Sequence, residues 1–217
     1  MTNDLFAQPC VASADARPID LPGGEAVLFS HCFLPAEADR YFTALTAGTE
    51  IAWRQERIRV YGREYPVPRL TAWYGDPGAT YTYSGIRHEP QPWTVVLLAI
   101  KERVEEYSGV AFNSVLLNLY RDGADSNGWH SDDEPELGPA PVIGSVSFGQ
   151  PRKFQFRHRR DKALTRSLVL DHGSFLVMRG DTQRNWLHQV PKSKRRKQPL
   201  AARVNLTFRV VKTAAVS

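Results

Sequence analysis

The stretch "NLYRDGADSNGWHSDDE", residues 118–134, joins the end of an apolar strand pattern to a turn and then to a histidine among acids. The Asp-Gly pair at 122–123 is typical of a turn. His130 and Asp132 are two residues apart, and such residues point to the same face of an extended chain. A nitrogen and a carboxylate aimed at one point are ligands that a metal ion uses. The pair alone is weak evidence, because most His-x-Asp pairs are ordinary surface or core residues.

The composition predicts one soluble domain that is long enough to bury a core. The chain has 217 residues, of which 42% are hydrophobic, and it has no apolar run long enough to span a bilayer. Its first residues lack the basic start and apolar core of a signal peptide, so we expect a cytoplasmic protein with no membrane partner. Cys10 and Cys32 are too few for a disulfide framework or a cysteine-rich zinc site. The net charge of +5 favours an acidic partner, most commonly nucleic acid.

Strand patterns dominate the second half of the chain. Seven short segments separated by turn signals are candidates: "FNSVLLNLYR", "VIGSVSFG", "RKFQFRHR", "RSLVLDH", "GSFLVMRG", "NWLHQV" and "RVNLTFRVV". Before them, one helix is predicted to begin at Pro35, and a second to run from about Pro92 to Ser108, with Gly109 as its stop. Residues 1–25 show no periodicity and are expected to form an irregular arm. The order predicts a mainly β protein with flanking helices, built as a sandwich or barrel.

The last predicted strand has one polar and one apolar face. The polar face carries Arg203, Asn205, Thr207 and Arg209. This face either meets water, which is the simpler interpretation of one strand, or lines a cavity. "LLNLY", residues 116–120, offers a similar face with Asn118 and Tyr120. Two arginines on such a face could hold carboxylates, because guanidinium pairs with carboxylate through two hydrogen bonds.

A second histidine, His188, lies near the end of the strand series in "NWLHQV". Two histidines and one carboxylate form the facial triad of non-haem Fe(II) oxygenases, which leaves the opposite face of the ion open. The scarcity of cysteine argues against structural zinc. We therefore predict that His130, Asp132 and His188 bind one metal ion.

Three segments together resemble the AlkB family of Fe(II)- and 2-oxoglutarate-dependent dioxygenases: "NLYRDGADSNGWHSDDE", "SVSFGQPRKFQFRH" and "ARVNLTFR". "VYGREYPVPRLTAWYGDPGATYTYSG", residues 60–85, resembles in particular the branch that repairs duplex DNA. The likeness runs from about Ile58 to Val210. It joins a metal triad, a cosubstrate strand and a substrate lid in the order of the family.

This resemblance implies a double-stranded β-helix (jelly-roll) core over residues 111–213, preceded over residues 26–110 by helices and a nucleotide-recognition lid. It implies Fe(II) at the triad, with 2-oxoglutarate and O2 as cosubstrates. Residues expected to contact 2-oxoglutarate are Asn118, Tyr120, Arg203, Asn205, Thr207 and Arg209. Arg203 matches the arginine that pairs with the distal carboxylate.

The implied reaction is oxidative demethylation of 1-methyladenine and 3-methylcytosine in alkylated DNA, single- or double-stranded, with RNA as a possible substrate. The base must leave the stack to be reached. Residues expected to contact substrate are Tyr61, Gly62, Tyr81, Tyr83, Ser84 and Asp133. The basic run "KSKRRK", residues 192–197, is expected to contact phosphates, although it could be an ordinary solvated loop. We expect a monomer.

Two positions depart from the family pattern. Ser131 stands where some relatives have a larger side chain, and Tyr61 stands where phenylalanine is expected, so strand preference is open. Without the resemblance, Tyr81 and Tyr83 are equally consistent with a packed hairpin, and Asp133 with a solvated acid. Two other functions also stay open: an Fe(II)/2-oxoglutarate hydroxylase or demethylase acting on RNA, protein or a small molecule, and a jelly-roll binding module without catalysis.

Overall fold

Seven antiparallel strands form the larger sheet of this protein. The computed structural model describes residues 16–60, 62–83, 86–193 and 200–212. In spatial order, the strands are β1 (Ala16–Ile19), β2 (Glu25–Phe29), β13 (Ser174–Arg179), β10 (Ile143–Gly149), β15 (Arg203–Arg209), β8 (Ser114–Tyr120) and β5 (Leu70–Gly75).

Four more strands form a smaller antiparallel sheet. Their order is β12 (Thr165–Leu170), β11 (Arg152–His158), β14 (Trp186–Val190) and β9 (Asn127–His130). From β8 to β15 the chain places four strands in each sheet, which agrees with the predicted jelly-roll core. All seven segments predicted as strands are strands in the structure, with ends that shift by a few residues.

The larger sheet is covered on both faces. One apolar cluster lies between the sheets and includes Phe156, Leu176 and Trp186. A second cluster lies on the opposite face, where helices α1 (Pro35–Ala47) and α2 (Val95–Ser108) cover the sheet. All seven residues of β15 are therefore buried, including its polar face. The simpler interpretation, in which that polar face meets water, is wrong.

The two long helices begin and end largely as their sequence signals predict. Helix α1 begins at Pro35. Helix α2 begins at Val95 rather than Pro92, because Thr94 caps it by accepting a hydrogen bond from the N–H of Leu97 at 3.3 Å. It ends at Ser108, and the next residue, Gly109, caps it with a φ of 68°, which lies in the left-handed region that glycine adopts without strain. Among the described residues, no helix is long and apolar enough to cross a bilayer.

The N-terminal segment differs from prediction. The irregular arm expected over residues 1–25 is wrong for the described part, because β1 pairs with β2 and β2 pairs with β13, so that both strands extend the larger sheet. Strand β1 is mostly exposed and lies at the sheet edge, so it has no two-sided burial to impose a clear apolar pattern. Strands β2 and β5 also belong to this sheet, although both lie in the region predicted as helices and lid.

Two small hairpins precede the jelly roll, in the region expected to form the lid. The first pairs β3 (Arg57–Val60) with β4 (Arg63–Pro66), and the second pairs β6 (Tyr81–Tyr83) with β7 (Ile86–His88). Gly62 follows β3 with a φ of 77°, and a tight turn requires such a residue. Tyr61, Ser84 and most of the basic run at 192–197 lie outside the described residues. The role of these hairpins as a lid stays a prediction.

Candidate metal centre and its cavity

The structure brings the three predicted metal ligands together. One ligand atom from each of His130, Asp132 and His188 lies within 4.8 Å of the others. Among the described residues, this is the one group of at least three histidine, cysteine, aspartate or glutamate side chains placed to share an ion. The sequence pattern therefore selected residues that converge in space.

Neighbouring strands of the smaller sheet position the two histidines. His130 in β9 is the register partner of His188 in β14, and their ring centroids are 4.2 Å apart. Asp132 lies beyond the end of β9, so the premise that both residues of the His-x-Asp pair share one strand is wrong. The carboxylate of Asp132 nevertheless lies close to both imidazoles, and the residue is only 2% exposed.

Contacts around the imidazoles orient them for metal binding. Nδ1 of His130 lies 2.8 Å from the carbonyl oxygen of Gly128, and Nε2 lies 3.1 Å from the side-chain amide nitrogen of Asn127. If Nδ1 donates to the carbonyl, Nε2 presents its lone pair, which is the form that ligates metals. His188 is buried and stacks on Phe154, with ring centroids 5.4 Å apart. Its Nε2 lies 3.5 Å from a carboxylate oxygen of Asp132.

The electrostatics of the cluster favour the protonation states that ligate a cation. Burial lowers the pKa of His188 from 6.5 to about 3, with the charge of His130 acting in the same direction and that of Asp132 opposing it. Burial by itself would raise the pKa of Asp132, but the charges of Arg209 and the two imidazoles outweigh it and lower the pKa from 3.8 to about 2. At neutral pH the site thus offers a neutral His188 and an ionised Asp132, and this donor set fits Fe(II).

A cavity of about 250 Å³ opens beside the cluster. Five of the six residues predicted to contact 2-oxoglutarate line it: Asn118, Tyr120, Asn205, Thr207 and Arg209. They come from β8 and β15, which are paired so that Asn118 opposes Asn205 and Tyr120 opposes Arg203. The guanidinium of Arg209 contacts a carboxylate oxygen of Asp132, so the cosubstrate strand and the metal cluster share one space.

The sixth residue, Arg203, is held just behind this wall. It is 1% exposed, its guanidinium lies 5.1 Å from the centre of the Tyr120 ring, and Nη2 donates to Ser147 at 2.9 Å. Nε and Nη1 have no hydrogen-bond partner among the described residues. Burial, reinforced by the charge of Arg152, lowers the pKa of Arg203 from 12.5 to about 10, while Tyr120 opposes the shift. A buried cation with unsatisfied donors is suited to an anionic ligand.

Comparison with known proteins identifies the family. Residues 25–209 match the 2OG-Fe(II) oxygenase superfamily. The chain is 46% identical over 187 residues to human DNA oxidative demethylase ALKBH2, covering 82% of this chain and 70% of that protein. This protein belongs to the AlkB family. It is also 47% identical over 171 residues to mouse alpha-ketoglutarate-dependent dioxygenase alkB homolog 3, covering 75% of this chain and 58% of the relative's length.

More distant relatives agree with this placement in the AlkB family. The ALKBH2 protein of Arabidopsis thaliana is 38% identical over 231 residues, covering 94% of this chain and 72% of that protein. The solved structure of OsALKBH1 aligns with a TM-score of 0.60 at 21% identity, covering 88% of this chain and 99% of that one. At that identity, the structural likeness shows the fold alone.

The structure describes only some of the residues that were predicted to contact an AlkB-type substrate. Asp133 does not line the cavity and its half-exposed side chain forms an ion pair with Arg159, so its predicted contact with the base stays a prediction. Tyr81 and Tyr83 lie in the β6–β7 hairpin. Tyr61 and Ser84 fall outside the described residues.

Several polar residues around the AlkB-type site were not predicted from sequence. Arg69 lines the cavity and donates to the side-chain oxygen of Asn118 at 2.7 Å. Gln183 accepts a hydrogen bond from the backbone of Asp132 at 3.0 Å. Arg152 donates to three backbone carbonyls. Arg69 and Arg152 lie in segments that resemble the family, but nothing local marked these residues, because each of the three acts through contacts with segments at least 27 residues away.

Proposed function

We propose that this protein is an Fe(II)- and 2-oxoglutarate-dependent dioxygenase that removes N-linked methyl groups from bases in DNA and so repairs alkylation damage. The observation that carries the proposal is the convergence of the His130–Asp132–His188 cluster with an arginine-bearing strand at one cavity. The protein's 46% identity to the DNA oxidative demethylase ALKBH2 supports the substrate class. The chain spans 58% of the length of mouse alkB homolog 3, so its activity, substrate and partners are proposals.

The proposed metal ligands are His130, Asp132 and His188. When bound, Fe(II) would supply the chemistry by which O2 oxidises the methyl group, coupled to the oxidative decarboxylation of 2-oxoglutarate. The protein's part is to hold His188 neutral and Asp132 charged and to keep both away from water. The two residues are 4% and 2% exposed, respectively. Burial on this scale also shields a reactive centre from side reactions.

The proposed 2-oxoglutarate site is the polar wall formed by β8 and β15. Arg203 pairs with the distal carboxylate through its unsatisfied donors, and Arg209 lies at the metal end, where it contacts Asp132. Asn118 and Asn205 are register partners between the positions of the two arginines. Hydrogen bonds from Asn205 to Ser145 at 2.9 Å and to the carbonyl of Val146 at 2.8 Å keep this wall in place before the cosubstrate arrives.

The proposed substrate is a base turned out of the DNA strand, with 1-methyladenine and 3-methylcytosine as the lesions. The two hairpins, with Tyr61, Gly62, Tyr81, Tyr83 and Ser84, are proposed to cover that base. Asp133, which forms an ion pair with Arg159, is proposed to face it. The preference for single or double strands, action on RNA, a monomeric state and a cytoplasmic location stay predictions.

A panel of methylated oligonucleotides tests the proposal. Succinate and formaldehyde should form in equal amounts with methylated DNA, and only when Fe(II) and 2-oxoglutarate are present. The panel carries each lesion in single-stranded DNA, duplex DNA and RNA. Succinate formation that no methylated nucleic acid stimulates would direct the search to a protein or small-molecule substrate instead.

Replacing a proposed ligand tests the metal assignment in the same assay. Asp132→Ala should remove one ligand, lower bound iron and abolish turnover. Asp39→Ala is the matched control, because Asp39 lies in α1 with its side chain 77% exposed and should leave both readouts unchanged. Full activity and unchanged iron content in Asp132→Ala would refute the ligand assignment.

A further inference from the structure

One buried side chain outside the proposed metal ligands links the two segments that carry them. Gln183 lies in the short helix α3 (Thr182–Asn185), five residues before His188, and is 1% exposed. Its side-chain oxygen Oε1 accepts a hydrogen bond from the backbone N–H of Asp132 at 3.0 Å. Asp132 belongs to the other segment, just after His130. A single hydrogen bond therefore joins the aspartate to the chain that leads into the second histidine.

Gln183 is itself held in place from several directions. Its Nε2 lies 3.6 Å from the sulfur of Met178, and its backbone oxygen accepts a hydrogen bond from Arg159 at 3.3 Å. The preceding residue, Thr182, donates to the carbonyl of Arg179 at 2.6 Å. An acceptor anchored in this way has one defined position, so it can orient the group that donates to it.

The backbone of Asp132 needs such an acceptor. Strand β9 ends at His130, so the N–H of Asp132 is not part of a described strand ladder, although the residue is only 2% exposed. A buried N–H group without a partner is unfavourable, and native structures rarely contain one. The side chain of Gln183 takes the place of the missing ladder partner. Fixing this peptide also fixes the direction in which the Asp132 side chain leaves the backbone.

A second contact holds the same segment from its exposed side. Arg159 donates to the side chains of Ser131 and Asp133, the two neighbours of Asp132, and also to the carbonyl of Gln183. The segment 131–133 is thus held by Gln183 on the inside and by Arg159 at the surface. Of the two, only Gln183 is buried and contacts Asp132 itself.

We propose that Gln183 is a positioning residue for the metal centre. It holds the backbone of Asp132 so that the carboxylate faces both imidazoles before any ion binds. The inference rests on the proposed function for the presence of a metal, and it adds a residue that never touches the ion. Changes to groups that orient metal ligands typically weaken metal binding by about 10- to 100-fold.

Three substitutions separate positioning from packing. Gln183→Met keeps the length and shape of the side chain but removes the acceptor. Gln183→Glu keeps a carbonyl-type acceptor whether the carboxyl group is ionised or protonated. Gln189→Met is the matched control, because Gln189 directly follows His188 but does not line the cavity and instead bonds with Gln155 at 2.9 Å.

The experiment measures the dissociation constant of Mn(II), followed by electron paramagnetic resonance without 2-oxoglutarate or substrate. Gln183→Met is expected to bind Mn(II) about 10-fold more weakly than the wild-type protein. Gln183→Glu should stay much closer to the wild-type value, and Gln189→Met should match it. A purely structural role for Gln183 would not be rescued by the glutamate.

Each contrary result has a distinct meaning. Equal Mn(II) affinity of Gln183→Met and wild type would overturn the positioning role and leave the metal assignment intact. Failure of the wild-type protein to bind Mn(II) would overturn the metal assignment and this inference with it.

A further measurement needs no variant, so it decides the question even if Gln183→Met does not fold. Amide hydrogen exchange on the metal-free wild-type protein should show a protected Asp132 amide. Exchange at the rate of an exposed loop amide would mean that the hydrogen bond is absent, and it would refute the proposal.

Discussion

Replacing Arg203 with methionine should have opposite effects on the stability of the protein and on its affinity for 2-oxoglutarate. Arg203 is 1% exposed, and two of its three guanidinium-group nitrogens have no hydrogen-bond partner among the described residues. Its pKa falls from 12.5 to about 10, mainly through burial. At about 1.4 kcal/mol per pKa unit, the charged form is about 3 kcal/mol less favourable in the folded protein than in water. Without a ligand, this cation therefore works against folding.

Methionine fills a similar volume without the charge. The variant loses one hydrogen bond to Ser147 and one cation–aromatic contact with Tyr120. Their loss offsets part of the gain from removing the charge. We therefore expect the free energy of unfolding of the variant to exceed that of the wild-type protein by between zero and about 3 kcal/mol. Denaturant unfolding of the metal-free protein measures this quantity.

The affinity for 2-oxoglutarate should fall sharply in the same variant. Removing one partner of a buried ion pair costs about 3–5 kcal/mol, because the other charge is left without compensation. This range corresponds to a loss of about 100-fold to several thousand-fold in affinity. Calorimetric titration with 2-oxoglutarate in the presence of Mn(II), without oxygen, measures it and requires no turnover.

Arg152 provides the matched control, because it is also buried and also contacts the ring of Tyr120. Its guanidinium, however, donates to the carbonyls of Asp122, Asp125 and Pro191 at 2.8–3.0 Å. Arg152→Met removes all three hydrogen bonds and leaves the buried carbonyl of Asp125 unpaired, so it should lower the free energy of unfolding by about 3 kcal/mol. The reasoning would be refuted if Arg203→Met lost several kcal/mol of stability and kept its 2-oxoglutarate affinity, which is the behaviour of a structural arginine.

Three further predictions concern acid stability, the hairpin and the basic run. The pKa of His188 is about 3 in the folded protein and 6.5 in the unfolded chain, so below pH 6.5 the unfolded chain binds more protons than the folded protein does. The free energy of unfolding of the metal-free protein should drop by up to about 1.4 kcal/mol per pH unit in that window, and His188→Asn should flatten this slope; an equal slope would contradict the shift. Tyr61→Ala should slow repair of duplex DNA strongly and spare single strands, since only a duplex has a stack to replace; equal losses would indicate a general defect instead. Neutralising Lys194, Arg195 and Arg196 in the basic run should weaken binding to all oligonucleotides. It should also reduce the slope of log affinity against log salt concentration by about one unit per lost phosphate contact, whereas an unchanged slope would identify a solvated loop.

Local sequence patterns were sufficient to predict most helices and strands and to identify the proposed metal ligands. The alternation of β15 and the capping signals at Pro35 and Gly109 act within a few residues, so they can be interpreted without knowing the fold. His130, Asp132 and His188 could be selected because a metal restricts its ligands to few residue types, and the family resemblance fixed their order. Edge strand β1 lacked such a signal, because no covering layer imposes an apolar face on it.

Tertiary structure decided how these residues are used. The polar face of β15 is buried only because a second sheet packs over it, a contact between segments far apart in sequence. For the same reason, Arg203 is a buried cation rather than a surface charge. Asp132 meets the histidines although it lies beyond the end of β9, and the acceptor that holds its backbone, Gln183, lies 51 residues away. Periodicity reports the direction of a side chain relative to its own strand, whereas burial, pKa and partners depend on what the rest of the chain places against it.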